Sequence, residues 1–304
     1  MRSYEEIQSQ ILGPGAGFWR PSPHALVRVA GPDAADYLHR LCSQDVVAMS
    51  AGDVRPACFL DGKGRLLQNV LLARVEDGLW VEAQAHKAKE LWEMLELYHF
   101  AEELTLETQP EAWECAEVWS LTPLAEPASG RSVNLQGDGM ALSWQRQGLT
   151  RVHYHGPAAV LDKACGNARE LSEDDSECLS ILAGLPRVGE DTDQRMLVLE
   201  APLDDHISTT KGCYTGQEIV ARIHTYGHTN RSLCRLYIEG TGGVEAGTAL
   251  VEPEEGDAVG RVMRAVEVKG QQMRLGFGFL PSAFTKAGAT LVLGAAGGPA
   301  VTVL

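Results

Sequence analysis

The sequence predicts an α+β protein that ends in a small β-barrel or sandwich, and three features carry the prediction. Near the start, a short apolar strand runs through a turn into an amphipathic helix, and hairpin-spaced strands follow. Beyond Ser232 the chain changes to six short apolar runs divided by glycine turns. With 304 residues, 44% of them hydrophobic, there is material for at least one full core and for two or three domains.

The first unit is "LVRVAGPDAADYLHRLCSQDV" from Leu26. Its apolar alternation gives a strand, Gly31-Pro32-Asp33 a turn, and Ala34, Tyr37, Leu38 and Leu41 the spacing of a helix. Residues 55–84 then read as strands broken at Asp61-Gly62 and at Asp77-Gly78, the latter a two-residue hairpin signal. From His86, "HKAKELWEMLELYHF" puts Leu91, Leu95 and Tyr98 on one face of a helix. Between Leu121 and Gly139, Pro, Ser, Gly and Asp predict a connecting loop. The late runs are "LCRLYIEG", "TALVEP", "GRVMRAVEV", "MRLGFGFL", "ATLVLG" and "AVTVL". The longest uncharged stretch, Ala287 to Leu304, is interrupted by glycines and Pro299, so it reads as a terminal strand pair rather than a membrane helix. The division expected is one region over 1–231 and a barrel over 232–304.

Twenty-six Lys and Arg against 41 Asp and Glu give a net charge of −15. Such a surface repels nucleic acid and anionic membranes, so an anionic ligand must be held by a local patch. The amino terminus, "MRSYEEIQSQILG", has no apolar run, and no secretory leader is expected. Seven scattered cysteines without a CxxC pair fit reduced thiols in a cytoplasm.

One of those cysteines stands in "TTKGCYTGQEIVARIH", residues 209 to 224. Thr215-Gly216-Gln217-Glu218 fits a capping box, which starts a helix at Gly216. Glu218 and Arg222 are four apart and can pair. Cys213 then lies just before a helix amino terminus and near the Lys211 ammonium, both of which favour a thiolate. His224, Tyr226, His228 and Arg231 follow as a polar cluster. The bland alternative has the glycines serving a tight loop and Cys213 packed inside it. Cys213, His224 and His228 lack the second cysteine of a zinc pair, so no metal site is expected there. His153 and His155 read as one face of an ordinary strand.

"KGCYTGQE" followed by Arg222 resembles the signature of the YgfZ-type folate-binding proteins, of the same superfamily as GcvT, the aminomethyltransferase of the glycine cleavage system. "VAGPDAADYLHRLCSQDV", "ILAGLPRVGED", "VGRVMRA" and "LGFGFL" extend the resemblance over most of the chain. It implies a GcvT-like arrangement of three domains around a central channel, the first two intertwined and the third a barrel, with tetrahydrofolate in the channel. It also implies a cytoplasmic bacterial protein that supports iron-sulfur client enzymes, with tRNA modification among the processes served, and without direct nucleic-acid or membrane contact. Cys213 is the reactive residue implied, and Lys211, Tyr214, Gln217, Glu218 and Arg222 shape the site. Arg222 or Arg231 is expected near the folate tail.

Gln68 and Asn69 stand where GcvT-type enzymes carry an Asp-Asp pair, and neutral amides can position folate but cannot act as a charged acid or base. Gly148-Leu149-Thr150-Arg151 stands where those enzymes have a Gly-Tyr-Thr-Gly-Glu segment. Accessory binding protein is therefore the leading reading. An aminomethyltransferase and a thiol-dependent transferase are the alternatives.

Overall fold

Along β2 (Ala25–Ala30) side chains alternate between two faces, and Val27 and Val29 turn to the same side, where Tyr37 and Leu38 of α2 (Ala34–Leu41) cover them. This is the start of the fold in a computed structural model, which describes residues 4–21, 24–124, 127–135, 138–254 and 256–304. β3 (Val54–Leu60), β4 (Leu66–Val75), β5 (Gly78–Ala83) and β6 (Thr105–Thr108) complete a five-stranded sheet in the order β3-β4-β5-β2-β6. Leu91 and Leu95 of α3 (Ala88–Leu97) seal the same core. Tyr98 does not join them: it ends the helix and is 42% exposed.

The β4–β5 hairpin forms as expected but one residue earlier, with Val75 opposite Gly78 and Glu76-Asp77 in the turn. Gly78 answers to packing, since a Cβ on it would collide with the Val29 carbonyl of β2. A second, six-stranded sheet contains β1 (Gly17–Trp19), β7 (Glu114–Ser120), β8 (Arg131–Leu135), β9 (Gly139–Arg146), β10 (Leu149–Gly156) and β11 (Arg169–Glu170), in the order β11-β1-β7-β10-β9-β8. The loop expected over 121–139 thus contains a strand, β8, while residues 125, 126, 136 and 137 lie outside the described residues. α4 (Ala158–Cys165) buries Leu161 and Cys165 against this sheet's outer face.

All six late runs are strands: β12 (Arg231–Glu239), β13 (Ala249–Val251), β14 (Ala258–Glu267), β15 (Met273–Pro281), β16 (Thr290–Leu293) and β17 (Ala300–Val303). They close into a barrel in the order β12-β15-β14-β13-β16-β17 around Leu236, Ile238, Leu250, Val262 and Leu291. In "GFGFL" the second glycine, Gly278, is required by close approach, because a Cβ there would meet Leu236 at 2.7 Å and the Arg261 carbonyl at 2.9 Å. α5 (Glu173–Leu182) starts at a capping box on Ser172. Arg264 of β14 reaches Glu177 on that helix at 3.0 Å and clasps the buried Asp191 through two 2.8 Å bonds.

The chain divides into two compact units. One comprises the residues up to Ile11, Ser172–Asp204 and Glu218–Leu304; the other comprises Leu12–Leu171 and Asp205–Gln217. Among the described residues, no helix is long and apolar enough to cross a membrane.

Candidate functional site

The segment 205–217 belongs to the unit that holds both open sheets, and it is bound there by a series of hydrogen bonds. The Ser208 amide donates to the Ser43 carbonyl at 2.9 Å, and the Ser43 hydroxyl donates to the His206 carbonyl at 2.6 Å. The Thr215 amide reaches the Arg40 carbonyl at 3.3 Å. At the entrance, Arg146 of β9 pairs with Asp205, whose carboxylate also lies 2.8 Å from His206 Nδ1. Burial works against that charge, but His206 and Arg146 hold the Asp205 carboxyl below its ordinary range.

Lys211 is the central anchor. It is 8% exposed, and its ammonium donates to the carbonyls of His39, Cys42 and Gln44, the last two at 2.8 and 3.0 Å. These carbonyls belong to the last turn of α2 and the residues just after it, where helical partners have run out and a cation meets the negative end of the dipole. Burial pushes the lysine's pKa down, and nearby Cys42 and Asp45 oppose the shift. Tyr214, also 8% exposed, lies under the ammonium, 4.9 Å from Nζ to ring centroid, and burial raises its phenol to about 12.

Gly216 shows why the motif needs its second glycine. Its φ is +83°, and a Cβ there would stand 2.5 Å from the Asp61 carbonyl and 3.2 Å from Gly64 in the β3–β4 turn. The helix α6 (Gln217–Tyr226) begins directly after it, one residue later than the capping-box reading places it. Glu218 and Arg222 are exposed on α6, the predicted ion pair between them is not formed, and both fall in the other unit. Arg231 is committed elsewhere, to Asp193 at 3.0 Å, to Glu200 at 3.1 Å and to the face of Phe279.

Cys213 is exposed, whereas the other six cysteines are all buried. Burial raises the thiols of Cys42, Cys58, Cys115, Cys165, Cys178 and Cys234, the last to about 11. His39 was not singled out by sequence. Its Nε2 would lie 3.7 Å from a Cβ on Gly212, next to Cys213, and burial together with the Lys211 charge lowers its pKa toward the neutral imidazole. Gln68 stands on β4 opposite Phe59 of β3, near the end of the hairpin that Gly216 touches. Its side chain is 3% exposed, and its Oε1 has no hydrogen-bond partner among the described residues. Asn69, next along β4 and opposite Cys58, is half-buried.

No protein-family model matches the chain. It is similar to the human mitochondrial iron-sulfur cluster assembly factor IBA57, 29% identical over 71% of this chain and 64% of that protein. It is also similar to the tRNA-modifying protein YgfZ of Yersinia pestis, 28% identical over 69% of this chain and 67% of that protein. These likenesses support a YgfZ-type protein of the GcvT-like superfamily. The chain spans about two thirds of the length of the curated relatives it matches. Its fold is that of the glycine cleavage system aminomethyltransferase T of Bartonella henselae, with a TM-score of 0.82 over 99% of this chain and 88% of the other, at 18% identity.

Proposed function

We propose that this chain is a folate-binding accessory protein for iron-sulfur enzymes that acts through the thiol of Cys213. The exposure of Cys213 carries the reading: it is the exposed cysteine in a chain that buries its other six. Lys211 and Gly216 hold the loop that presents it. An anchored loop with an open thiol suits transient contact with a client or a cluster. The two relatives named for iron-sulfur assembly and tRNA modification support the client class, and the acidic net charge supports recognition of protein clients rather than nucleic acid.

For folate the residues fit. The Gln68 carbonyl oxygen is a buried acceptor without a partner among the described residues, suited to the N–H edge of a pterin. Of the two cations expected near the acidic tail, Arg231 is committed to Asp193 and Glu200, and Arg222 is exposed. Seven scattered cysteines without a CxxC pair support a reducing compartment such as the cytoplasm.

Cells lacking the endogenous protein test the reading. The intact chain should restore the activity of iron-sulfur enzymes, and Cys213→Ala should not, although it folds normally. In the purified protein, limiting iodoacetamide should label Cys213 before any other cysteine. Full rescue by Cys213→Ala, or first labelling of Cys42 or Cys234, would overturn the thiol role. Calorimetry with tetrahydrofolate tests the ligand separately, and Gln68→Leu should weaken binding by roughly three- to tenfold, the worth of one hydrogen bond.

A further inference from the structure

Side chains from the two open sheets meet around a set of buried titratable groups that the thiol site does not use. On β7, Ala116 and Val118 face the core under α4, so Cys115, Glu117 and Trp119 face the other way. On β10, Val152 and Tyr154 face that core, so Arg151, His153 and His155 turn with Glu117; His153 stands opposite Glu117, and His155 opposite Cys115. Glu82 arrives from β5 of the five-stranded sheet, and His24 from the approach to β2.

One oxygen of Glu82 is the hub. Its Oε1 lies 2.5 Å from His24 Nδ1, 2.6 Å from His153 Nδ1 and 3.2 Å from His155 Nε2. Side-chain exposure is 3% for Glu82, 4% for His153 and 0% for His155. Glu117 is held by Arg151 at 2.8 Å, whose guanidinium lies over Trp119 and Trp144, and its Oε1 also lies 3.4 Å from His24 Nε2 and 3.8 Å from His153 Nε2. Even so, Glu82 Oε2, His153 Nε2 and both ring nitrogens of His155 have no hydrogen-bond partner among the described residues; the 3.2 Å approach of His155 to Glu82 lacks the angle. A buried polar atom left unpaired costs about 1–3 kcal/mol, and here four of them lie on three side chains of one cluster.

We infer that Glu82, His153 and His155 form a binding site for a divalent transition-metal ion of the class that imidazole and carboxylate select, such as zinc, iron or cobalt. Their donor atoms all lie within 4.8 Å of one another. A tetrahedral ion with ligands at ~2.0–2.2 Å separates neighbouring ligands by about 3.4 Å, so small side-chain shifts complete the site. Histidines two apart on a strand share a face, and a carboxylate from a second sheet supplies the third ligand. His24 is the nearest further donor, and its ring stands edge-on to His153 with centroids 4.8 Å apart. The competing state is a metal-free ionic cluster, in which a protonated His24 and Arg151 offset Glu82 and Glu117.

The test uses the full chain carrying Cys213→Ser, which removes the exposed thiol as a rival ligand. After dialysis against a chelator, it is titrated with cobalt(II) and followed by ligand-field absorption and metal analysis. The expected result is about one equivalent bound, a higher melting temperature with metal, and imidazole ligation in X-ray absorption. Glu82→Gln keeps the shape and should weaken binding by more than the ~10- to 100-fold that loss of an outer partner costs. Less than about a tenth of an equivalent bound, or a spectrum without imidazole ligands, would overturn the site and favour the ionic cluster. Unchanged affinity in a folded Glu82→Gln would do the same. If that variant fails to fold, the X-ray absorption of the parent decides alone. None of these results depends on Cys213 or on folate.

Discussion

Lys211 joins the signature loop to the end of α2, and the stability of the site rests on that contact. The ammonium has three N–H groups pointing to three separate carbonyls, a geometry that a flexible point charge can satisfy and a planar guanidinium cannot. Lys211→Met should therefore lower stability by about 2–3 kcal/mol, since buried carbonyls lose a charged donor, and Lys211→Arg should not restore it. Denaturant midpoints at pH 7 measure both. A loss below about 0.5 kcal/mol in the methionine variant would show that the carbonyls find other partners. From the string "KGC" alone, a lysine two residues from a cysteine reads as a charge beside a thiol. The direction of its side chain comes from α2, which is 172 residues away in sequence at the His39 contact, and no local pattern encodes that.

At the scale of elements, the segment 205–216 is tied to the end of α2 and to the β3–β4 turn and has no helix or strand of its own beyond a single turn at 204–206, so its anchors decide how firmly Cys213 is presented. Asp205 is the one that responds to pH. Its folded carboxyl is held below the ordinary range, so its contribution is complete above about pH 4 and is lost as the pH falls through the lower folded value. The carboxylate is 44% exposed, which limits the pair with Arg146 to roughly 0.5–1 kcal/mol. Hydrogen-exchange protection factors for 205–217 should decline between about pH 4 and pH 2, ahead of the rest of the unit. Asp205→Asn should begin lower and stay flat over that range. Equal profiles for the two proteins would remove this anchor. Most elements were legible because their periods are clean: the six barrel runs, β2 with α2, and α3 all fall where alternation and helical spacing put them. The hidden strand β8 was not, since "RSVNL" has only partly buried side chains and lies among turn residues. Arg264 and Asp191 explain why two distant resembling segments, "VGRVMRA" and "ILAGLPRVGED", belong together: one clasps the other.

At the scale of the molecule, the GcvT-like fold was legible through the resemblance rather than through composition, whereas the buried meeting of Glu82, His24, Glu117, His153 and His155 was not legible at all. "RVHYHG" is an alternating strand like many others, and its partners come from strands that only the sheet order brings near. The shared fold also poses the question of chemistry, because the aminomethyltransferase scaffold is kept over 99% of this chain. We expect no ammonia release from an aminomethylated lipoyl carrier above background. That reaction needs the folate nitrogen aligned with the aminomethyl carbon and gains from a carboxylate that stabilises the developing positive charge, and acid–base groups contribute ~100- to 10,000-fold. Asn69 has the shape of an aspartate without its charge, and Gln68 is a neutral amide one methylene longer. Arg151, in the segment where the resemblance puts a carboxylate, is partly buried and paired with Glu117. A reconstituted assay with aminomethyl-loaded carrier and tetrahydrofolate decides, run beside a Gln68→Asp, Asn69→Asp double variant and with folate affinity measured on both. Turnover by the unaltered protein would defeat the accessory reading. Inactivity there with a gain in the variant, at similar folate affinity, would locate the lost chemistry in two carboxylates on β4.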